Sequence, residues 1–107
     1  MKNFNPKTWF MPQAVLVSGT HDADGTPNAM NAAWSGQWDN DKIMISMGNH
    51  QTTVNLNSNP DFTVAFATTE TLVAADYVGV VSGKKVKDKV AKTGWNVEKG
   101  EQVNAPV

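Results

Sequence analysis

Two short stretches hold the side chains best suited to chemistry. His50-Gln-Thr-Thr53 places an imidazole and two hydroxyls where a strand pattern gives way to a helix pattern. A helix beginning there leaves its first N–H groups unpaired at the positive end of its dipole, which suits a phosphate. A Thr ahead of a helix is also the usual cap, so spacing alone leaves both readings open. Asn31-Ala-Ala-Trp-Ser-Gly36 offers backbone amides and small side chains to a planar ring, with Trp34 either a stacking partner or an ordinary core residue. His21 and His50 lie far apart with no spaced acidic partner, so no metal site is expected. No Gly-rich phosphate loop, nucleophile elbow or paired-carboxylate arrangement occurs. Lys84, Lys85, Lys87, Lys89 and Lys92 form the one basic patch; beside a phosphate it would add charge, and alone it is a solvated face.

The elements that must position these residues follow from periodicity. Ala14 to Val17 is a compact apolar run that passes through Ser-Gly-Thr-His into the turn-rich segment Asp22 to Pro27, which predicts two antiparallel strands flanking Gly25. The second strand is expected over Asn28 to Trp34, with polar Asn28 and Asn31 among small residues that leave room for something flat. A third strand sets Ile43, Ile45 and Met47 on one face and Met44 and Ser46 on the other. A short helix with a Thr cap starts at Thr52 and ends in the cluster Asn57 to Pro60. A fourth strand alternates Phe62, Val64 and Phe66 with Thr63, Ala65 and Ala67, and Thr68 to Leu72 opens a helix running to about Val80. A small helix over Lys87 to Lys92 should end at Gly94, and Trp95 to Val107 reads as extended and polar, without a closing element.

Bulk properties narrow the function classes. At 107 residues, 1–107 is one domain at most, and 40% hydrophobic with 18% charged residues is a globular composition. The net charge of -1 and the absence of Arg argue against nucleic acid. Without Cys there is no disulfide, thiolate metal site or Cys nucleophile, so redox chemistry must come from a bound cofactor. No signal-peptide core and no stretch of about 20 apolar residues is present, so the reading is cytoplasmic, with no membrane partner.

Taken together and in order, several segments resemble the flavin-reductase-like family that includes flavoredoxin. They are Pro12 to Thr20, Gly25 to Gly36, Ile45 to Thr53, Asp61 to Phe66, Ala75 to Gly83, Asp88-Lys89, Thr93-Gly94 and Val103 to Pro106. The combination of PN-x-M-x-x-AW-x-G, ADY-x-G-x-x-SG and DK is what makes the likeness specific. The resemblance implies a mainly β fold with short helices, the FMN-binding split β-barrel. It implies a homodimer that holds FMN near the subunit interface and takes hydride from NADH or NADPH, as a flavin or ferric reductase. A flavin-binding electron carrier or store without its own NAD(P)H activity is the alternative. Carried over by position, Asn31, Ala33, Trp34 and Ser35 would border the isoalloxazine and ribityl chain. Ser46, His50, Thr52 and Thr53 would meet the ribityl or phosphate groups, and Ser82 with Lys84 would lie near the phosphate or the dimer contact. Hydride transfer belongs to the cofactor, so no catalytic residue is expected. The chain departs from the family in having Gly48-Asn49 where many relatives carry Arg or Lys. It also stops at Asn-Ala-Pro, where relatives continue, so an incomplete barrel is expected.

Overall fold

The computed structural model describes residues 2–3 and 12–107. Strand β1 (Leu16–His21) turns through Asp22 to Thr26 into β2 (Pro27–Ala32), and the two pair antiparallel with Leu16 opposite Ala32 and His21 opposite Pro27. Gly25 sits at φ 83, a left-handed conformation that a Cβ would strain, which is why the turn carries glycine there. Asp24 supports the same turn by accepting from the Thr26 N–H at 3.0 Å. That bond, with help from Lys87, holds the Asp24 carboxyl below its ordinary range. Strand β5 (Thr63–Phe66) pairs antiparallel along the other side of β1, giving the order β2-β1-β5.

A second sheet is a hairpin of β3 (Ser35–Asp39) and β4 (Lys42–Ile45). Here two expectations change. The second strand ends at Ala32 rather than Trp34, and β3, which the sequence did not announce, follows at once. Its residues, Ser-Gly-Gln-Trp-Asp, lack apolar alternation, and it is a strand because β4 satisfies its backbone. Among the described residues this hairpin is left largely uncovered: Trp38, Ile43 and Met44 are exposed. Among the described residues the two sheets stay separate, so the fold is mainly β with short helices and no closed barrel.

Helix α1 (Gln51–Ser58) is poor in apolar residues and docks by polar contacts. The Asn28 amide donates to Thr52 Oγ1 at 3.0 Å and to Thr20 Oγ1 at 3.3 Å. The Asn55 amide donates to the same Thr20 oxygen at 3.0 Å and to Asp22 Oδ1 at 2.7 Å. Thr20, Asn28, Thr52 and Asn55 are all buried. Helix α2 (Leu72–Val80) is apolar and lies along β2. Its Val78 joins Ala29 and Val90 in a small core against which Val17, Tyr77, Trp95 and Val97 pack. No helix is long and apolar enough to cross a membrane among the described residues.

Beyond α2 the expected helix over Lys87 to Lys92 is a run of turns closing in a 3-10 turn, Ala91–Thr93. Gly94 follows in the left-handed conformation, as expected. The last segment, read from the sequence as extended and polar, is tied to the rest of the chain. Glu98 and Val107 exchange backbone bonds, and the Asn104 carbonyl accepts from Asn59 Nδ2 at 2.9 Å. The Asn104 N–H donates to Asp61 Oδ2, and Thr63 Oγ1 donates to the Pro106 carbonyl. Ala105 is fully buried.

The polar knot under α1 yields a stability test. Asn28→Ala strands the buried Thr52 hydroxyl oxygen, while Thr20 keeps its bond from Asn55, and should cost about 2 kcal/mol. Ser18 is buried, and its hydroxyl has no hydrogen-bond partner among the described residues. Ser18→Ala should therefore be neutral or stabilising by up to about 1 kcal/mol. Urea denaturation midpoints read both, and a neutral Asn28→Ala would show that the knot is dispensable.

Candidate functional site

A cleft of about 270 Å³ opens where the start of α1, strand β2 and the end of α2 meet. Asn28 and Asn31 come from β2, His50 to Thr52 from the α1 entry, and Val78 to Gly83 with Lys89 from α2 and the turns after it. Close backbone approach shapes one wall. A Cβ on Gly79 would lie 2.7 Å from Asn31 Cβ, and one on Gly83 would lie 2.5 Å from Asn28 Oδ1.

Four of the ten expected site residues, Asn31, His50, Thr52 and Ser82, line this cleft. Thr52 does not cap the helix, contrary to the reading of its position. His50 occupies the cap without a side-chain cap bond, and Thr52 lies one position inside the helix, buried and accepting from Asn28. Thr53 Oγ1 donates to the Gly48 carbonyl at 2.6 Å, steadying the loop before the helix. Lys84 reaches across from the turns after α2, its Nζ donating to Asn49 Oδ1 at 2.7 Å. The remaining four, Ala33, Trp34, Ser35 and Ser46, gather at the base of the β3–β4 hairpin. There the Ser46 N–H donates to the Trp34 carbonyl at 2.8 Å and Ser35 Oγ donates to the Ala32 carbonyl at 3.3 Å. Trp34 is exposed, so it is not a core residue.

The residue that sequence reasoning passed over is Lys89. It is only 3% exposed, and its Nζ donates at 2.8 Å to each of the Val78 and Val81 carbonyls. No carboxylate lies within ion-pair distance of it among the described residues, and none lines the cleft. Burial holds its pKa below the ordinary 10.5, opposed in part by the charge of Asp22. The sequence placed Lys89 in a basic patch, and the structure disperses that patch. Lys87 pairs with Asp24 at 3.6 Å, Lys92 with Asp88 at 3.1 Å, and Lys89 turns inward. The signal that was available is its place between Val86 and Val90, which are less exposed than Lys84 and Lys85.

Chemically, the cleft presents a buried ammonium, an imidazole and hydroxyls to a small polar ligand, beside the first-turn amides of α1, which by helix geometry lack intrahelical acceptors. With no carboxylate in its lining, it favours an anion. No cluster of His, Cys, Asp or Glu able to hold a metal occurs among the described residues. A mainly apolar cavity of similar size, about 260 Å³, lies elsewhere, between Val17, Ala29, Val90, Trp95 and Val97.

Because the folded pKa of Lys89 is lowered, the unfolded chain binds that proton more tightly. Its buried charge therefore lowers stability below the folded value, and stability rises as pH climbs from there toward 10.5. Lys89→Met should lose this alkaline gain. The check is the difference in urea midpoint between wild type and variant across that range, which should grow with pH.

Comparison with known proteins follows the same line. No family model matches the chain. No curated protein matches it. Among solved structures it is similar to the flavoredoxin of Desulfovibrio vulgaris (Miyazaki F), with 31% identity and a TM-score of 0.90 over 100% of this chain and 60% of that one. A flavoredoxin from Methanosarcina acetivorans aligns over 100% of this chain and 57% of its own, with 25% identity and a TM-score of 0.80. The 2-nitrobenzoate 2-nitroreductase of Pseudomonas fluorescens shares the fold alone, at 14% identity and a TM-score of 0.78 over 92% of this chain and 49% of that one. The chain thus spans about 60% of the length of the flavoredoxin it matches. Over its whole length, in fold and in sequence, the chain is similar to these flavoredoxins.

Proposed function

We propose that this chain binds FMN and passes reducing equivalents through it, as an NAD(P)H-dependent flavin or ferric reductase. The observation that carries the reading is the carboxylate-free cleft with a buried lysine, set in a flavoredoxin-like fold. A volume of about 270 Å³ is at the lower end for a small-molecule site. It fits the phosphate and part of the ribityl chain, and the ring would then lie along the small-residue turn at Ala33, Trp34 and Ser35. The hydroxyls of Ser82 and Thr52, the imidazole of His50 and the ammonium groups of Lys84 and Lys89 would hold the anionic tail. Bound flavin supplies the hydride and electron chemistry. The protein's part is orientation, exclusion of water and electrostatics.

The likeness to flavoredoxins equally supports an electron carrier without its own nicotinamide activity. The absorption spectrum of the purified chain, before and after FMN is added, tests the shared core of both readings. Flavin bands that persist through desalting are expected, and a colourless protein that takes up no FMN sinks them. Bleaching of bound flavin by NADH or NADPH under anaerobic conditions favours the reductase, and a flavin that only dithionite reduces favours the carrier.

A homodimer belongs to the same proposal. Phe66, Trp38, Val73 and Val80 are exposed at 71%, 72%, 84% and 76%, apolar surface that association with a second copy would take out of water. Sedimentation should give twice the 11.6 kDa chain mass. Val73→Lys with Val80→Lys should shift the chain to monomer and weaken FMN binding.

A further inference from the structure

Lys89 is held in an unusual state for a lysine. Its ammonium is buried at 3% exposure, two of its three N–H donors go to the Val78 and Val81 carbonyls, and no carboxylate sits within ion-pair distance among the described residues. Taking an unpaired ammonium out of water costs several kcal/mol, of which two neutral carbonyls recover a part. Lys89 also lines the cleft, where His50, Thr52 and Ser82 add polar groups but no negative charge. This cleft wall is therefore electrostatically unsatisfied, and an anion entering it would complete the set.

We propose that the cleft takes up its anionic ligand together with a proton on Lys89, so that binding of a phosphomonoester is linked to the protonation of this one buried amine. The inference rests on the reading of the cleft as the seat of the FMN phosphate. Around Lys89 the charged and titratable groups are Asp22 from the β1–β2 turn, His50 at the entry to α1, Tyr77 on α2, and Lys84 and Asp88 on the turns that carry it. Asp22 is already engaged by Asn55 and favours the charged amine. Burial opposes it more strongly and draws its pKa down. In the empty cleft the proton leaves Lys89 at a lower pH than it leaves an exposed lysine. A phosphate dianion nearby restores it. Ligand affinity then falls with rising pH by up to about tenfold per unit, between the pKa of the empty cleft and that of the filled one.

The test compares FMN with riboflavin, which has the same ring and ribityl chain and no phosphate. Dissociation constants are measured by flavin fluorescence from about pH 7.5 to 10, where the phosphate, with its second pKa near 6, keeps a constant charge. Ring ionisation affects both ligands alike and cancels in their ratio. In the wild type the FMN-over-riboflavin preference should fall as pH rises across the range. Lys89→Arg, which stays charged throughout, should keep the preference and lose its pH dependence. Lys89→Met should show a small preference at every pH. Lys85→Met should leave the slope in place, because Lys85 is exposed and lies outside the cleft. A pH-independent ratio in the wild type, or a slope that survives in Lys89→Arg, overturns the proposal while leaving flavin binding standing. If neither flavin binds, the functional reading fails, and thermal melting with inorganic pyrophosphate decides the linkage. Stabilisation of the wild type that fades toward alkaline pH and is flat in Lys89→Arg keeps it, and no stabilisation ends it.

Discussion

Everything in this molecule hangs on four buried polar side chains that join α1 to the β1–β2 hairpin. Asn28 and Asn55 each use both amide hydrogens, and Thr20 Oγ1 accepts from both of them. A helix with so few apolar residues would have little reason to stay on the sheet by burial alone. Each of these bonds is modest in net terms, but none can be broken cheaply, because every broken one leaves a dehydrated donor or acceptor behind. The knot thereby fixes the start of α1 in position and angle. It also makes the side chains of Asn28 and Thr52 part of the cleft wall.

The opposite wall is set by a different force. Helix α2 approaches β2 closely enough that Gly79 and Gly83 admit no side chain, and its end is gripped by the Lys89 ammonium through two carbonyls. The last carbonyls of a helix are a favourable place for a cation. Here the cation comes from eleven residues beyond Val78 and is carried inside by the turn that follows. The residue that closes the helix end also lines the cleft, which is how a structural cap comes to lie at the site.

A third force is conspicuous by where it acts. The core proper is small, built on Ala29, Val78 and Val90. Much of the chain's large apolar surface instead sits outside, on β5, on the β3–β4 hairpin and on the outer face of α2. Such surface is unfavourable in water and favours association. The terminal segment covers part of what remains: Pro106 rests against Gly19, and Asn104 is held by Asn59 and Asp61.

Much of this was legible in the residues alone. Apolar runs and the Asp-Gly turn located β1 and β2, alternation located β4 and β5, and Gly94 marked the end of the 3-10 turn, because these depend on local sterics and on period. The ordered motifs pointed to a flavoredoxin-like fold, which the structural matches bear out. What local pattern did not determine was every feature made by partners distant in the chain. Strand β3 exists through its pairing with β4, Thr52 is buried because Asn28 lies across from it, and Lys89 is withdrawn from the lysine run by carbonyls eight and eleven residues away. Residue type states what a side chain is able to do. Whether it faces water, a neighbour or a cleft is decided by which dehydrated groups remain to be satisfied once the elements have packed, and only the tertiary structure supplies that.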